Sequence, residues 1–193
     1  MSDYRFDVRS KGKFKKDIKA SHQKEAIIAV RLCITKHSKT GEWPKLEPAG
    51  VDMTGAFIDN IKDVTADPDF KIDDKLVEIT RSDVMCERTF HQKCHKIIRC
   101  LKDNTELVFV NGYEAQKQPK YIWLTGKDLE PFVTKSLSKY GEVKHPGGGK
   151  VGLINKPAYR FDVYWFEDLW KPLPALCKGI PEEYKEILEA SKV

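Results

Sequence analysis

The sequence predicts a single α/β domain over residues 1–193, with a mixed central β-sheet flanked by helices and its core in residues 21–111. Three neighbouring patterns predict this class: a β-hairpin in residues 69–80, an amphipathic helix after it, and a wholly apolar strand at Leu107–Val110. The order hairpin, helix and buried strand is that of an α/β unit. A chain of 193 residues fits one domain and is long enough to bury a core.

The predicted hairpin brings two acidic residues face to face. If Asp73-Asp74 is a two-residue turn, antiparallel pairing sets Asp69 opposite Glu78. Four apolar residues share one face and suit a core: Phe70, Ile72, Val77 and Ile79. The other face carries the two carboxylates together with Lys71 and Thr80. Directly opposed carboxylates repel each other, and a divalent metal between them removes that cost.

The residues after the hairpin predict a helix and then a buried strand. Thr89 and Gln92 fit a capping box, in which the Thr89 hydroxyl serves a backbone amide and Gln92 reaches back. Five residues then fall on one helical stripe: Phe90, Cys94, Ile97, Ile98 and Leu101. The run Leu107–Val110 is apolar throughout, which is typical of a strand buried on both faces.

These motifs resemble those of the PD-(D/E)XK nucleases, the restriction-endonuclease-like superfamily. Pro68-Asp69 stands in the PD position and Glu78-Ile79-Thr80 in the (D/E)XK position, with eight residues between Asp69 and Glu78. The helix and the strand that follow match the order of that family's core. The resemblance covers about a third of the chain, and it implies a restriction-endonuclease-like core.

The resemblance also implies a metal site and an activity. Mg²⁺ (or Mn²⁺) would be held by Asp69, Glu78 and the Ile79 carbonyl, and oxygen ligands suit this ion. An acidic residue on the first helix often adds a ligand in that family, and Glu25 is the candidate here. The implied activity is hydrolysis of phosphodiester bonds in DNA, by an endonuclease rather than an exonuclease, with RNA as an alternative substrate.

Thr80 occupies the place of the family's lysine, which positions and helps to deprotonate the attacking water. A threonine hydroxyl is uncharged and cannot act as a base near neutral pH. Lys71 shares the acidic face of the hairpin, so we assign the lysine's role to Lys71 first, with a simple salt bridge to one carboxylate as the alternative. Lys93 and Lys96 on the next helix are the second choice. The candidate catalytic residues are therefore Asp69, Glu78, Lys71 and Thr80.

Upstream, Ser21 is predicted to cap a helix that runs to Lys36. Its inner stripe contains Ala26, Ile27, Val30, Cys33 and Ile34. Glu25 then falls in the first helical turn, where the helix dipole alone would explain it. The basic segment Arg5–Lys19 before this helix is either a solvated arm or edge strand, or a segment that contacts phosphates.

The composition limits the classes of protein to which this chain can belong. Charged residues make up 33% of the chain and the net charge is +5, a mild excess that permits an anionic partner. No apolar run approaches the length of a membrane span, and the N-terminus has no apolar core of a signal peptide. Five cysteines without a pairing pattern predict a reducing, cytoplasmic location.

A cluster of cysteines and histidines invites a zinc hypothesis: Cys86, His91, Cys94, His95 and Cys100. His91 and His95 would lie one helical turn apart. However, the cluster has no Cys-x-x-Cys pair, and Cys94 lies on the apolar stripe, so zinc is disfavoured. The alternative is that His91, His95 or Lys96 lies near the acidic face and touches substrate or water.

The remaining segments predict further elements of the same domain. They are a strand at Ala56–Ile61, a strand at Tyr121–Leu124, a helix from Thr125 or Asp128 to Gly141 with Phe132, Val133, Leu137 and Tyr140 inward, a basic loop at 145–150, a hairpin of Val151–Ile154 with Tyr159–Phe166, and a helix at Glu182–Ser191. The loop at 145–150 lacks the first glycine of a phosphate-binding P-loop.

Two other classes of function stay open beside the nuclease. One is a catalytically inactive domain of the same fold that binds nucleic acid or a protein partner. The other is an ordinary α/β domain in which Glu78 pairs with a nearby lysine. A homodimer is compatible with any of the three.

Overall fold

The computed structural model describes residues 11–49, 68–144 and 157–192. In chain order their elements are α1 (Lys11–Thr40), β1 (Leu46–Pro48), β2 (Phe70–Ile72), β3 (Lys75–Ser82), β4 (Thr89–Lys93), α2 (Cys94–Lys102), β5 (Glu106–Asn111), β6 (Lys120–Leu124), α3 (Gly126–Tyr140), β7 (Val143–Lys144), β8 (Pro157–Asp162), a 3₁₀ helix (Val163–Leu169), β9 (Lys171–Pro172) and α4 (Glu182–Ala190). The predicted strand at 56–61, the loop at 145–150 and the strand at 151–154 lie outside the described residues.

Six of these strands form a mixed central sheet in the order β1-β2-β3-β5-β6-β9. The pair β3–β5 is parallel and its neighbours are antiparallel. Parallel neighbours need a crossover connection, and α2 lies within it. The predicted class, an α/β fold with a mixed central sheet flanked by helices, is confirmed at this level.

The two faces of the sheet bury separate cores. Val108 and Val110 of β5 pack with Val77 and Ile79 of β3 against α1. Leu107 and Phe109, which alternate with those valines, pack in a second cluster with Ile97 of α2 and Leu129 of α3. Strand alternation therefore sets α1 on one face and α2 with α3 on the other. The prediction that β5 is buried on both faces is confirmed.

The hairpin β2–β3 has the predicted register. Phe70 pairs with Val77, Lys71 with Leu76 and Ile72 with Lys75. Asp73 in the turn adopts a φ of 54°, a left-handed conformation that aspartate tolerates in tight turns. Its carboxylate accepts hydrogen bonds from the Lys45 amide at 2.9 Å and from Lys36 at 2.7 Å, which fixes the turn against α1.

The segment Thr89–Lys93 is a strand, so the predicted capping box at Thr89 is wrong. This strand, β4, pairs with β8 in a second sheet of order β4-β8-β7. Since α2 begins only at Cys94, His91 and His95 are not one helical turn apart. The helix buries Cys94, Ile97 and Cys100, whereas Ile98 and Leu101 of the predicted stripe are 40% and 38% exposed.

The first helix is longer than predicted. It runs without a break from Lys11, so Ser21 is an interior residue rather than a cap, and Glu25 does not lie in the first turn. The dipole explanation for Glu25 is therefore wrong. Residues 11–19 of the basic segment are helical rather than an edge strand. The buried face of α1 is also shifted: Ile27 and Ile34 are only partly buried, whereas Ile28, Ala29 and Leu32 are fully buried.

The later elements follow the predictions more closely. Thr125 and Asp128 form a capping box at the start of α3, and Gly141 follows its end. Leu137, expected inward, is 44% exposed. The segment 163–169 forms a 3₁₀ helix instead of continuing β8 as a strand. In the described part of the chain, no helix has an apolar stretch long enough to cross a bilayer.

Candidate active site

Asp69 lies at the bend that precedes β2, directly after Pro68. Its Oδ2 accepts a hydrogen bond from the backbone N–H of Ile79 at 2.6 Å. Phe70–Val77 is the last pair of the hairpin ladder, so Asp69 stands one step beyond it, at the level of Glu78. The structure thus brings the two predicted acidic residues to the same place on the hairpin, although Asp69 is outside the strand.

Glu78 is the buried centre of the site, with only 2% of its surface exposed. It points to the face covered by α2, and both of its carboxylate oxygens are engaged. Its Oε1 contacts Lys96 Nζ, and its Oε2 lies 3.0 Å from Arg99 Nη1. Lys96 and Arg99 are three residues apart on α2, so one face of that helix carries both cations to a single carboxylate.

Asp69 and Lys96 lie among like and opposite charges that shift the pKa of both. Burial raises the pKa of Asp69 well above its usual range, and repulsion by Glu78 and Glu25 raises it further. Burial alone would lower the pKa of Lys96, but attraction by Glu78, Asp69 and Glu25 outweighs it, so the pKa of Lys96 is raised. Lys96 therefore carries its charge at neutral pH and acts as a hydrogen-bond donor among three carboxylates.

Glu25 approaches this cluster from α1. Its Oε1 accepts a hydrogen bond from Ser21 Oγ at 2.8 Å and lies 3.4 Å from Arg81 Nη1. Arg81 also bonds Ser21 Oγ, at 3.0 Å, so the three side chains join α1 to the end of β3. The charge of Glu25 acts on Asp69 and Lys96, but its carboxylate is held by Arg81.

Two further residues that the sequence predicts for the site, Lys71 and Thr80, interact with other groups than Glu78. Lys71 pairs with Leu76 on one side and with Glu47 of β1 on the other. The pKa of Glu47 is lowered, chiefly by a bond from Lys45 and in part by the charge of Lys71. Thr80 Oγ1 donates to the Val108 carbonyl at 3.2 Å, a bond within the sheet. The lysine in contact with Glu78 is therefore Lys96, the second choice from sequence.

Arg99 was not predicted. The sequence does contain an indication of its role. Lys96 and Arg99 are three residues apart, so they share one face of a helix, next to the buried residues Ile97 and Cys100. That spacing is present in the predicted helix as well, but the sequence does not show that this face of the helix meets Glu78. Within residues 11–49, 68–144 and 157–192, no three histidine, cysteine, aspartate or glutamate side chains form a ready metal-binding group, whether for zinc or for another ion.

No protein-family model, curated protein sequence or solved structure matches this chain significantly.

Proposed function

We propose that this protein is a metal-dependent nuclease that hydrolyses phosphodiester bonds of DNA, with its active site at Asp69, Glu78 and Lys96. One observation carries the proposal. Two acidic residues of one hairpin meet a charged lysine from the helix that crosses over to the next parallel strand, and the lysine contacts Glu78 while its charge also acts on Asp69. This set of groups combines metal ligands with a donor for a reacting water.

The topology around the site supports the likeness to the PD-(D/E)XK superfamily. A helix is followed by three antiparallel strands, β1, β2 and β3. After β4, which belongs to the second sheet, come α2 and the parallel strand β5. In this arrangement Asp69 directly precedes the second strand of the meander, and Glu78 lies on the third. A lysine drawn from the following helix is a variation within that superfamily, and it would compensate for Thr80.

The residues at the site fit a divalent metal such as Mg²⁺ or Mn²⁺. Carboxylate oxygens are the donors that these ions prefer. The raised pKa of Asp69 reflects burial and repulsion by Glu78 and Glu25, and a bound cation would relieve that repulsion. Two protein carboxylates are enough, because Mg²⁺ usually keeps several waters. Asp69 and Glu78 would hold the ion, with Glu25 and the Ile79 carbonyl as further donors.

The protein's own groups would have separate tasks in the reaction. A bound metal would polarise the scissile phosphate and lower the pKa of a coordinated water. Lys96, charged at neutral pH, would orient the attacking water through its ammonium hydrogens and offset negative charge on the phosphate. The attacking water would release one proton to solvent as its oxygen bonds to phosphorus, one ester P–O bond would break, and the leaving oxygen would take a proton from solvent.

One observation favours a second candidate, a non-catalytic domain that binds nucleic acid. Both oxygens of Glu78 are engaged by Lys96 and Arg99, which is also the arrangement of a buried structural ion cluster. In that case the net positive charge would bind phosphates while the cluster only stabilises the fold. The two candidate functions differ in whether the protein cleaves the nucleic acid that it binds.

A nicking assay with supercoiled plasmid tests the proposal. The wild-type protein should convert the plasmid to open circles in Mg²⁺ or Mn²⁺ and not in EDTA. Glu78→Gln and Lys96→Met, purified in parallel, should each lower the rate by about 10² or more. Lys192→Met, which removes an exposed lysine of the C-terminal segment, is the matched control and should cut at the wild-type rate. Metal-independent nicking, or equal nicking by Glu78→Gln, would refute the proposal.

A further inference from the structure

A cluster of three aromatic rings and three cations lies where the second half of α3 meets β8 and the 3₁₀ helix. We call it the cation–aromatic patch, and its members are Lys135, Lys139, Tyr140, Arg160, Tyr164 and Trp165. Lys135 Nζ lies 4.6 Å from the centre of the Trp165 ring, and Arg160 Cζ lies 4.6 Å from that of Tyr140. The ring centres of Tyr140 and Trp165 are 6.4 Å apart. These mutual contacts make the six residues one unit.

Tyr164 is the exposed ring of the patch, with 62% of its surface open to solvent. Lys135 Nζ and Lys139 Nζ each lie 5.9 Å from the centre of this ring, at the outer limit of a cation–π contact. Trp165 meets the ring edge to face at 6.3 Å and is itself buried. The patch therefore presents an uncovered aromatic ring next to two positive charges.

The patch has more hydrogen-bond donors than acceptors. The carboxylate beside it belongs to Asp162, and both of its oxygens are used: Oδ2 accepts from Lys139 and Oδ1 from the Tyr140 hydroxyl, each at 2.6 Å. Among the side chains that the structure describes, Arg160 Nε and Trp165 Nε1 are buried donors without a hydrogen-bond partner. Because buried donors are rarely left unpaired, the patch has capacity for a further acceptor.

Two acidic residues limit the direction from which an anion can approach. Glu167 and Asp168 are exposed on the same 3₁₀ helix, three and four residues after Tyr164. Their carboxylates repel phosphates, whereas Lys135 and Lys139 attract them from α3. An anionic chain would therefore place its phosphates on the α3 side of Tyr164 and keep uncharged groups over the ring.

The patch lies on the same side of the central sheet as the candidate active site. Trp165 packs in one core cluster with Ile97 of α2. The same helix brings Lys96 to Glu78. A nucleic-acid strand that binds the patch thus runs over the face of the sheet to which Glu78 points.

An exposed ring next to cations has the two features that single-stranded nucleic acid requires. Unpaired bases stack on aromatic side chains, and cations hold the backbone. In a duplex the faces of the bases are covered by their neighbours, and an acidic peptide would use the cations but leave the ring without a role. The choice of DNA rests on the function proposed above. We propose that the cation–aromatic patch binds a single-stranded segment of DNA, with a base stacked on Tyr164 and phosphates at Lys135 and Lys139.

Anisotropy of labelled DNA tests this inference in EDTA, which prevents cleavage. The probes are a thymidine strand of about 15 nucleotides and a blunt duplex of the same length. The wild-type protein should bind the single strand more tightly. Tyr164→Leu should weaken single-strand binding at least about fivefold, the loss of one stacked base, and change duplex binding by less than about twofold. Tyr164→Phe keeps the ring and should bind as wild type. Since Tyr164 is largely exposed, both variants should keep the wild-type melting temperature.

The salt dependence separates the lysines from the ring. Lys135→Gln should reduce the slope of log K against log salt concentration for the single strand by about 0.7, because one phosphate contact is lost. Tyr164→Leu should leave this slope unchanged. Lys185→Gln is the matched control and should change neither affinity nor slope. Lys185 is 47% exposed on α4, and the neighbouring Tyr184 packs in the core cluster on the α1 side of the sheet.

The outcomes distinguish this inference from the proposed function. A wild-type protein that nicks plasmid but does not prefer the single strand refutes the patch and leaves the nuclease standing, as does a Tyr164→Leu protein that binds the strand like wild type. A wild-type protein that binds the strand through Tyr164 but does not nick refutes only the nuclease. Failure of both assays refutes both. Oligo-glutamate binding that is lost in Lys135→Gln and kept in Tyr164→Leu would assign the patch to an acidic protein partner and overturn the proposal.

Discussion

The Asp69 carboxylate accepts a hydrogen bond at 2.6 Å from the backbone N–H of Ile79, the residue that follows Glu78. This bond holds Asp69 beside Glu78 although Asp69 lies outside the strand ladder. Burial and repulsion by Glu78 and Glu25 raise the pKa of Asp69. The hairpin therefore holds together two acidic groups that repel each other. This repulsion destabilises the fold, and a bound cation would relieve it.

We expect Asp69→Asn to raise the melting temperature in EDTA at pH 7 by at least about 2 °C. Asparagine keeps an acceptor for the Ile79 N–H and removes the charge. Because the pKa of Asp69 is higher in the folded state, stability is lost as the pH rises from the unfolded pKa, near about 3.9, through the folded pKa. The gain should therefore vanish below about pH 3.5, and Mn²⁺ should no longer stabilise the variant. A lower melting temperature at pH 7 would contradict the raised pKa.

Lys96 should contribute more to the cleavage rate than Lys71. Lys96 contacts Glu78, whereas Lys71 pairs with Leu76 and acts on Glu47. We expect Lys96→Met to lower single-turnover cleavage by about 10² or more, and Lys71→Met to stay within about threefold of wild type. Mn²⁺-induced thermal shifts measure whether each variant still binds metal. If Lys71→Met is the slower enzyme, the assignment made from sequence was the better one.

The hairpin was predictable because the interactions that specify it are local. The turn at Asp73 and the alternation of apolar residues fix a register that involves only a dozen consecutive positions. The capping box of Thr125 with Asp128 is local in the same way. Patterns of this range placed Asp69 and Glu78 together without any knowledge of the rest of the chain.

The strand β4 was missed because its partner lies far away in sequence. Thr89–Lys93 alternates buried and partly exposed residues, but one of the buried residues is the polar Gln92. Its pairing with Pro157–Asp162 involves residues about seventy positions later. A single sequence shows no sign of that pairing, whereas a Thr-x-x-Gln pattern next to a helix suggests a cap.

The cationic half of the site depends on tertiary packing. Sequence placed Lys96 on the right helix, but which side chain meets Glu78 depends on the position of α2 over β3. The hydrophobic contacts of Ile97 and Cys100 set that position together with the approach of α3. Arg99 became a candidate only when the structure showed its contact with Glu78.

Removing the carboxylate of Glu78 should destabilise the protein strongly. Glu78 is 2% exposed, and Arg99 and Lys96 are 11% and 22% exposed at their side chains. Glu78→Gln would leave two largely buried cations with weaker partners, which we expect to lower the free energy of unfolding by about 3 kcal/mol. Urea denaturation measures the change. Arg99→Met should cost less in the Glu78→Gln background than in wild type, and additive costs would show that the pair is not coupled.

The separation of α2 and α3 should depend on Gly126. A Cβ at Gly126 would lie 2.2 Å from the Cys100 carbonyl oxygen and 3.3 Å from the Leu101 Cα, both in the backbone of α2. Since backbone cannot give way as a side chain can, Gly126→Ala must push the start of α3 away from the helix that carries Lys96 and Arg99.

We expect Gly126→Ala to lower the free energy of unfolding by about 1–3 kcal/mol, measured by urea denaturation. Because α2 shifts, the cleavage rate per folded molecule should fall as well. This fall should be larger than any change in rate caused by Gly179→Ala. Gly179 is the matched control, since a Cβ there meets nothing within 4 Å. A Gly126→Ala protein with wild-type stability and rate would mean that α2 and α3 can separate without moving Lys96 from Glu78.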